Sequence, residues 1–93
     1  MIVEIQCLPS PAGTDDNPHA NVETAIAVVK ESGLHHEVGP LGTSIEGEPD
    51  QIWPLLRRVH EACLTGTASS AISVIKVADG VRKGMDDLTR KFR

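Results

Sequence analysis

The chain has 93 residues, a formal net charge of −4 and only two aromatic side chains, Trp53 and Phe92. That charge repels phosphate backbones and no aromatic platform is present for stacking bases, so nucleic acid is excluded as a partner class. A chain this short forms one domain and buries only about 60–65% of the surface its unfolded form exposes, a thin margin that self-association would widen.

In Ile2 to Leu8, Val3, Ile5 and Cys7 share one face and Ile2, Glu4, Gln6 and Leu8 the other, which predicts a strand with one dry side and one mixed side. The N-terminus lacks the basic and long apolar regions of a signal peptide, and the longest apolar run, Ala25 to Val29, is too short to span a bilayer. A cytoplasmic protein with no membrane partner is expected. Pro9, Pro11 and Gly13 should stop the first strand, leaving a polar loop, Ser10 to Asp16, long enough to move over a site. Asn17 as N-cap, Pro18 as first helical residue, and Val22, Ala25, Ile26 and Val29 at helical spacing predict a helix over 18–32, stopped by Gly33. Asp15 and Asp16 place negative charge at its positive end, which suits a cationic ligand better than an anion.

Leu34 to Leu41 reads as a second strand. His35 and His36 point to opposite faces of it, and His19 and His60 lie on other elements, so surface histidines are favoured over metal ligands. Cys7 and Cys63 show no Cys-x-x-Cys spacing and read as buried thiols. After a Gly-Pro-Leu-Gly break, Thr43, Ile45 and Gly47 alternate with Ser44, Glu46 and Glu48, completing a hairpin. Pro49 and Asp50 open a second helix whose apolar stripe is Ile52, Leu55, Leu56, Val59 and Cys63, with Gly66 as its stop and Pro54 a mild irregularity near its start. Trp53 reads as a lid on the core or part of an interface. Ser70 to Asp79 is nearly all apolar or small, as in a strand covered on both faces. Asp86-Asp87-x-x-Arg90-Lys91 allows a short terminal helix, so the organisation expected is a single domain over 1–93 with 81–93 as a C-terminal extension or short helix.

Strand, helix, hairpin, helix, strand is the split βαβ order, and right-handed crossovers place both helices on one face of a four-stranded antiparallel sheet. The predicted fold is therefore α+β, a ferredoxin-like βαββαβ sandwich with the first and third strands as central neighbours. Val3, Ile5, Cys7, Thr43 and Ile45 should face the helices, and Glu4, Gln6, Ser44, Glu46 and Glu48 the open side. Ile2 and Leu8 on that open side favour covering by another subunit. Catalysis is disfavoured: Pro9 to Asp16 holds no basic residue to cradle a phosphate, and Cys63 lies on the apolar stripe, where it cannot serve with His60 as a nucleophile. A non-enzymatic binding module and a structural or regulatory oligomerisation module, with a different small-molecule ligand or none, both fit these features.

The opening Met-Ile-Val-Glu-Ile-x-x-x-Pro, the helix end Lys30-Glu31-Ser32-Gly33-Leu34, the hairpin from Val38 to Glu48, His60-Glu61-Ala62 and Ile75-Lys76-Val77 resemble, in order, the small thiamine-binding protein family related to the thiamine/hydroxymethylpyrimidine-binding protein of bacilli. The likeness runs from Met1 to about Lys83, and Thr43, Glu46 and Gly47 match its most specific motif. The loop after the first strand is longer and more acidic than the family pattern, and the link after Asp79 lacks the usual charged turn. The resemblance implies a ferredoxin-like fold, dimers or tetramers formed through the sheets, and binding of thiamine or its pyrimidine moiety without chemical conversion or a cofactor. A thiazolium cation suits a carboxylate and an aminopyrimidine suits amide and hydroxyl groups, so Gln6, Thr43, Ser44 and Glu46 are the expected ligand-binding residues, with help from the acidic loop.

Overall fold

A computed structural model describes residues 1–80 and 82–93. Strand β1 (Ile2–Ser10) leads to helix α1 (Ala20–Glu31), the hairpin strands β2 (His35–Val38) and β3 (Thr43–Glu46), helix α2 (Pro49–Ala62) and strand β4 (Ser70–Ala78). A short helix α3 (Met85–Thr89) and a 3-10 turn (Arg90–Phe92) follow. The sheet order is β2-β3-β1-β4, with every pairing antiparallel, so the fold is the predicted ferredoxin-like α+β sandwich with β3 and β1 at its centre. The expected start of the terminal extension, residue 81, lies outside the described residues.

The alternation read from the sequence sets the core. Val3, Ile5, Thr43 and Ile45 are buried toward the helices, where Ala25 and Val29 of α1 and Ile52, Leu55, Leu56, Val59 and Cys63 of α2 meet them. The α2 stripe puts all its large apolar groups on one side, and Trp53 on the other stays half exposed. Gln51 Oε1 accepts the Glu48 N–H at 3.0 Å, fixing the entry into this helix. Pro54 sits inside α2 without ending it.

Three boundaries differ from expectation for identifiable reasons. Helix α1 begins at Ala20, with His19 as cap residue, because Asn17 and Thr14 instead close a turn of their own: Thr14 N–H donates to Asn17 O at 2.9 Å and Asn17 N–H to Thr14 Oγ1 at 3.1 Å. Strand β1 runs through Pro9 to Ser10, since a proline is tolerated where its missing N–H faces away from the ladder, and Pro9 pairs with Ala71. Strand β2 is limited to His35–Val38 because the turn begins at Gly39, whose N–H donates to Gly42 O at 2.8 Å. The loop before α1 is fastened rather than loose: the buried Asn21 donates through Nδ2 to Pro11 O at 2.9 Å and to Thr67 Oγ1 at 3.0 Å, and its N–H reaches Ala12 O.

The open face of the sheet is divided. Over β2 and β3 lies the C-terminal segment: Met85 is buried, its N–H donates to Glu46 Oε2 at 2.9 Å, Asp86 meets His35 Nε2 at 3.2 Å, and Arg93 pairs with Glu37. Among the described residues none covers β1 and β4 in this way, and Leu8, Ile72 and Val74 stay exposed there. Strand β4 was expected to be covered on both faces, yet within the single chain it is an edge strand, with Ile72 66% and Val74 46% exposed on the open face and Ile75 and Val77 exposed on the other. Its Lys76 extends toward Glu4 at 3.5 Å.

Leu56 is 3% exposed between α2 and the sheet. We expect Leu56→Ala to lower unfolding free energy by about 2–5 kcal/mol in urea titration; a loss below about 1 kcal/mol would contradict this placement in the core.

Candidate functional site

The site arises from a mismatch of strand lengths. β1 has nine residues but β3 only four, and their pairing ends where Ile5 faces Thr43. Beyond that point β1 continues with β4 alone at its side. The space where β3 would have continued is a cavity of about 160 Å³ beneath the hairpin turn. Its floor comes from Ile5, Cys7 and Val59, its far wall from Val22, Ala25, Ile26 and Val29 on α1, and its rim from Val38 and the turn of residues 39–42. Leu41 on the rim is 77% exposed, an apolar side chain left in water at the mouth of an apolar hollow.

Polar groups in the lining are few. Thr43 is 6% exposed, and its hydroxyl takes part in none of the side-chain hydrogen bonds formed among the described residues, although no fully enclosed polar side-chain atom there lacks a partner. Its Oγ1 is therefore reached from the cavity. Gln6 also contributes to the wall. Among the described residues, no aspartate, glutamate, lysine, arginine or histidine lines the hollow. Such a site accommodates an uncharged group with one or two hydrogen-bonding atoms and penalises a buried charge.

The four residues expected to bind ligand do not converge. Gln6 and Thr43 border the cavity, but the Gln6 side chain, like Ser44 and Glu46, alternates onto the open face of the sheet, so Gln6 meets the hollow through its backbone. Glu46 is engaged there by the Met85 N–H, and a side chain at Gly84 would come within 2.9 Å of its Oε2. Ser44 stands between Glu4 and Glu37 in register. Asp15 and Asp16 are exposed on the anchored loop and do not reach the cavity wall. Val22, Ile26 and Leu41 were not anticipated as site residues; the only signal for them is the shortness of the Thr43-Ser44-Ile45-Glu46 run against the long first strand. Among the described residues no group of three or more histidine, cysteine or acidic side chains converges as a metal site, and no helix is long and apolar enough to cross a membrane.

Cys7 lines the cavity, and the buried Cys63 thiol lies beside it. Burial, reinforced by the adjacent Cys63 thiol and opposed by a hydrogen bond with Ser73, pushes the Cys7 thiol up to about 12. Ser73 in turn lies 2.6 Å from His60 Nδ1. A thiol so raised holds its proton at neutral pH and is a poor nucleophile.

The family model described as "Thiamine-binding protein" matches residues 3–93. A UPF0045 protein of Clostridium perfringens is 31% identical over 94 residues, covering 98% of this chain and 95% of its own. Among solved structures, a domain of unknown function from Bacillus cereus superposes with a TM-score of 0.78 at 28% identity, covering 100% of this chain and 91% of its own. A candidate thiamine biosynthesis/salvage protein from Thermotoga maritima has a TM-score of 0.78 at 24% identity, over 99% and 97% of the two chains, a likeness of fold.

The Cys7 thiol has a folded value above its ordinary 9.0, so its protonated form is favoured by folding. The resulting stability is complete below about pH 9 and is lost as pH rises toward 12. We expect unfolding free energy to fall over that window in the wild type and to fall less in Cys7→Ala, with both thiols slow to react with a disulfide reagent at pH 8 while the protein is folded. Rapid labelling of native Cys63 would contradict the buried pair.

Proposed function

Because the chain belongs to the thiamine-binding protein family, we propose that it binds thiamine or its pyrimidine moiety, without converting it, in the cavity beneath the β2–β3 turn. The observation that carries this reading is the size and neutrality of the hollow. A protein cavity of about 150 Å³ lined by apolar side chains takes one benzene ring, so about 160 Å³ suits one six-membered ring rather than two linked rings. In this arrangement the pyrimidine lies inside against Ile26 and Val29, within reach of the Thr43 hydroxyl and the β1 backbone at Gln6 and Cys7. A thiazolium stays at the mouth beside Leu41, because its fixed charge would be costly in an uncharged wall. The lining has no carboxylate or imidazole to move a proton and its one thiol stays protonated, which supports binding rather than catalysis.

The exposed edge of β4 supports self-association as a second part of the reading. Nine residues of strand, with Ile72, Val74, Ile75 and Val77 exposed, present an unpaired backbone edge that a second copy could continue in antiparallel fashion. Two such pairs meeting over Leu8, Ile72 and Val74 would make a tetramer. The two unbridged thiols suit a reducing compartment, and we place the protein in the cytoplasm.

Calorimetric titration with thiamine and with hydroxymethylpyrimidine should give saturable heats, unchanged within about twofold in Glu46→Gln because that carboxylate faces the other side of the sheet. Absence of heat and of any thermal shift at millimolar concentrations of both compounds would overturn the binding reading and leave an oligomerisation module. Light scattering at micromolar protein should give a dimer or tetramer mass; a monomer would remove the role proposed for β4.

A further inference from the structure

The direction of each backbone group along β1 follows from its neighbours. Met1 O accepts the N–H of Gly47, just after β3, and Ile5 O lies 3.2 Å from where a Gly42 side chain would begin, so odd-numbered residues turn their carbonyls toward β3. Ser10 O accepts the N–H of Ser69, just before β4, so even-numbered residues turn toward β4. The register with β4 is unbroken from Ile2 to Ser10, which carries this alternation through the strand. Pro9 agrees with it, since the proline nitrogen falls on the side where no ladder bond is needed.

Cys7 is therefore the one non-proline residue between Ile5 and Ser10 whose N–H and C=O both face the gap left by β3. No backbone partner meets it there: the pairing stops at Ile5 with Thr43, and none of the loop hydrogen bonds among the described residues involves Cys7. Cys7 and Gln6 both border the cavity, with the accessible Thr43 hydroxyl across from them. An extended residue offers its donor and acceptor side by side on one edge, about the spacing of a ring nitrogen and the amino group next to it. We infer that the backbone edge of Cys7 is the recognition element of this cavity, and that its ligand is a neutral planar heterocycle presenting an acceptor nitrogen beside an amino donor. The ring extends the sheet by one backbone pair in place of the missing β3 residue. Thr43 fixes the ring from the side of β3, and the absence of charge among the described lining residues disfavours a protonated form of the ring.

This inference rests on the binding reading above, and the test separates the two. In the free protein, amide hydrogen exchange at Cys7 should run at least about tenfold faster than at Gln6 and Leu8, whose amides face β4. Saturation with hydroxymethylpyrimidine should slow exchange at Cys7 by about tenfold or more and shift its amide proton downfield. An analogue with the ring amino group replaced by hydrogen should bind at least about tenfold more weakly, because the Cys7 carbonyl is then left without its donor. Cys7→Pro removes the N–H that faces the gap together with the thiol, and should weaken binding at least about tenfold relative to Cys7→Ala, which removes the thiol alone. If that variant does not fold, the amide measurements and the analogue pair decide alone. Binding of hydroxymethylpyrimidine with no change at the Cys7 amide, or equal binding of the analogue lacking the amino group, would overturn this inference and leave the binding reading standing. No binding of either pyrimidine or of thiamine would overturn both.

Discussion

The early end of β3 is the constraint from which the rest of the site follows. A nine-residue β1 beside a four-residue β3 leaves part of a central strand with a partner on one side only. In most sheets an unpaired stretch so close to the core would be covered by water or closed by a loop. Here α1 passes over it with Val22, Ala25, Ile26 and Val29, and the turn of residues 39–42 borders it, so the gap becomes a hollow with a mouth at Leu41. The same shortfall explains why Pro9 is acceptable inside a central strand. A single change, lengthening β3 by two residues so that it paired with Cys7, would fill the hollow and satisfy that edge together.

The opposite face of the sheet follows a different logic. Its carboxylates are used within the chain: Glu46 holds the start of α3, Glu37 pairs with Arg93, and Glu4 approaches Lys76. These contacts are exposed or half exposed and each contributes little energy, but together they fix where the C-terminal segment lies and which part of the sheet it leaves bare. What remains uncovered is the apolar strip of Leu8, Ile72 and Val74 beside the free edge of β4. On the proposed reading, ligand recognition and contact with further copies fall on opposite faces, with β1 shared between them.

Much of this was legible in the sequence, and the reasons differ by element. The period-two pattern of Val3, Ile5, Thr43 and Ile45 and the stripe from Ile52 to Cys63 fixed the faces of β1, β3 and α2, because burial on one side only enforces such patterns. Gly33 takes a φ of 73°, as a helix stop should. The boundaries of α1 and β2 were misplaced because turn hydrogen bonds at Asn17 and Gly39 compete with helix and ladder, and propensity does not weigh that competition. The strand β4 was read as doubly covered from its apolar composition, which a subunit contact would explain as well as a crossover does. Thr43 borders the cavity, but grouping it with Gln6, Ser44 and Glu46 joined side chains of opposite faces, since alternation turns Thr43 toward the helices and the other three toward the open side. The cavity itself is a property of unequal strand lengths, and no residue type announces it.

The central claim is that a single uncharged ring occupies the space β3 leaves beside Cys7 and Thr43. The most direct measurement is a set of intermolecular nuclear Overhauser effects between bound hydroxymethylpyrimidine and the methyl groups of the protein. Contacts to Val22, Ile26 and Thr43 are predicted, with none to the open face. Contacts instead to Ile2, Ile72 and Val74, across the sheet, would contradict it.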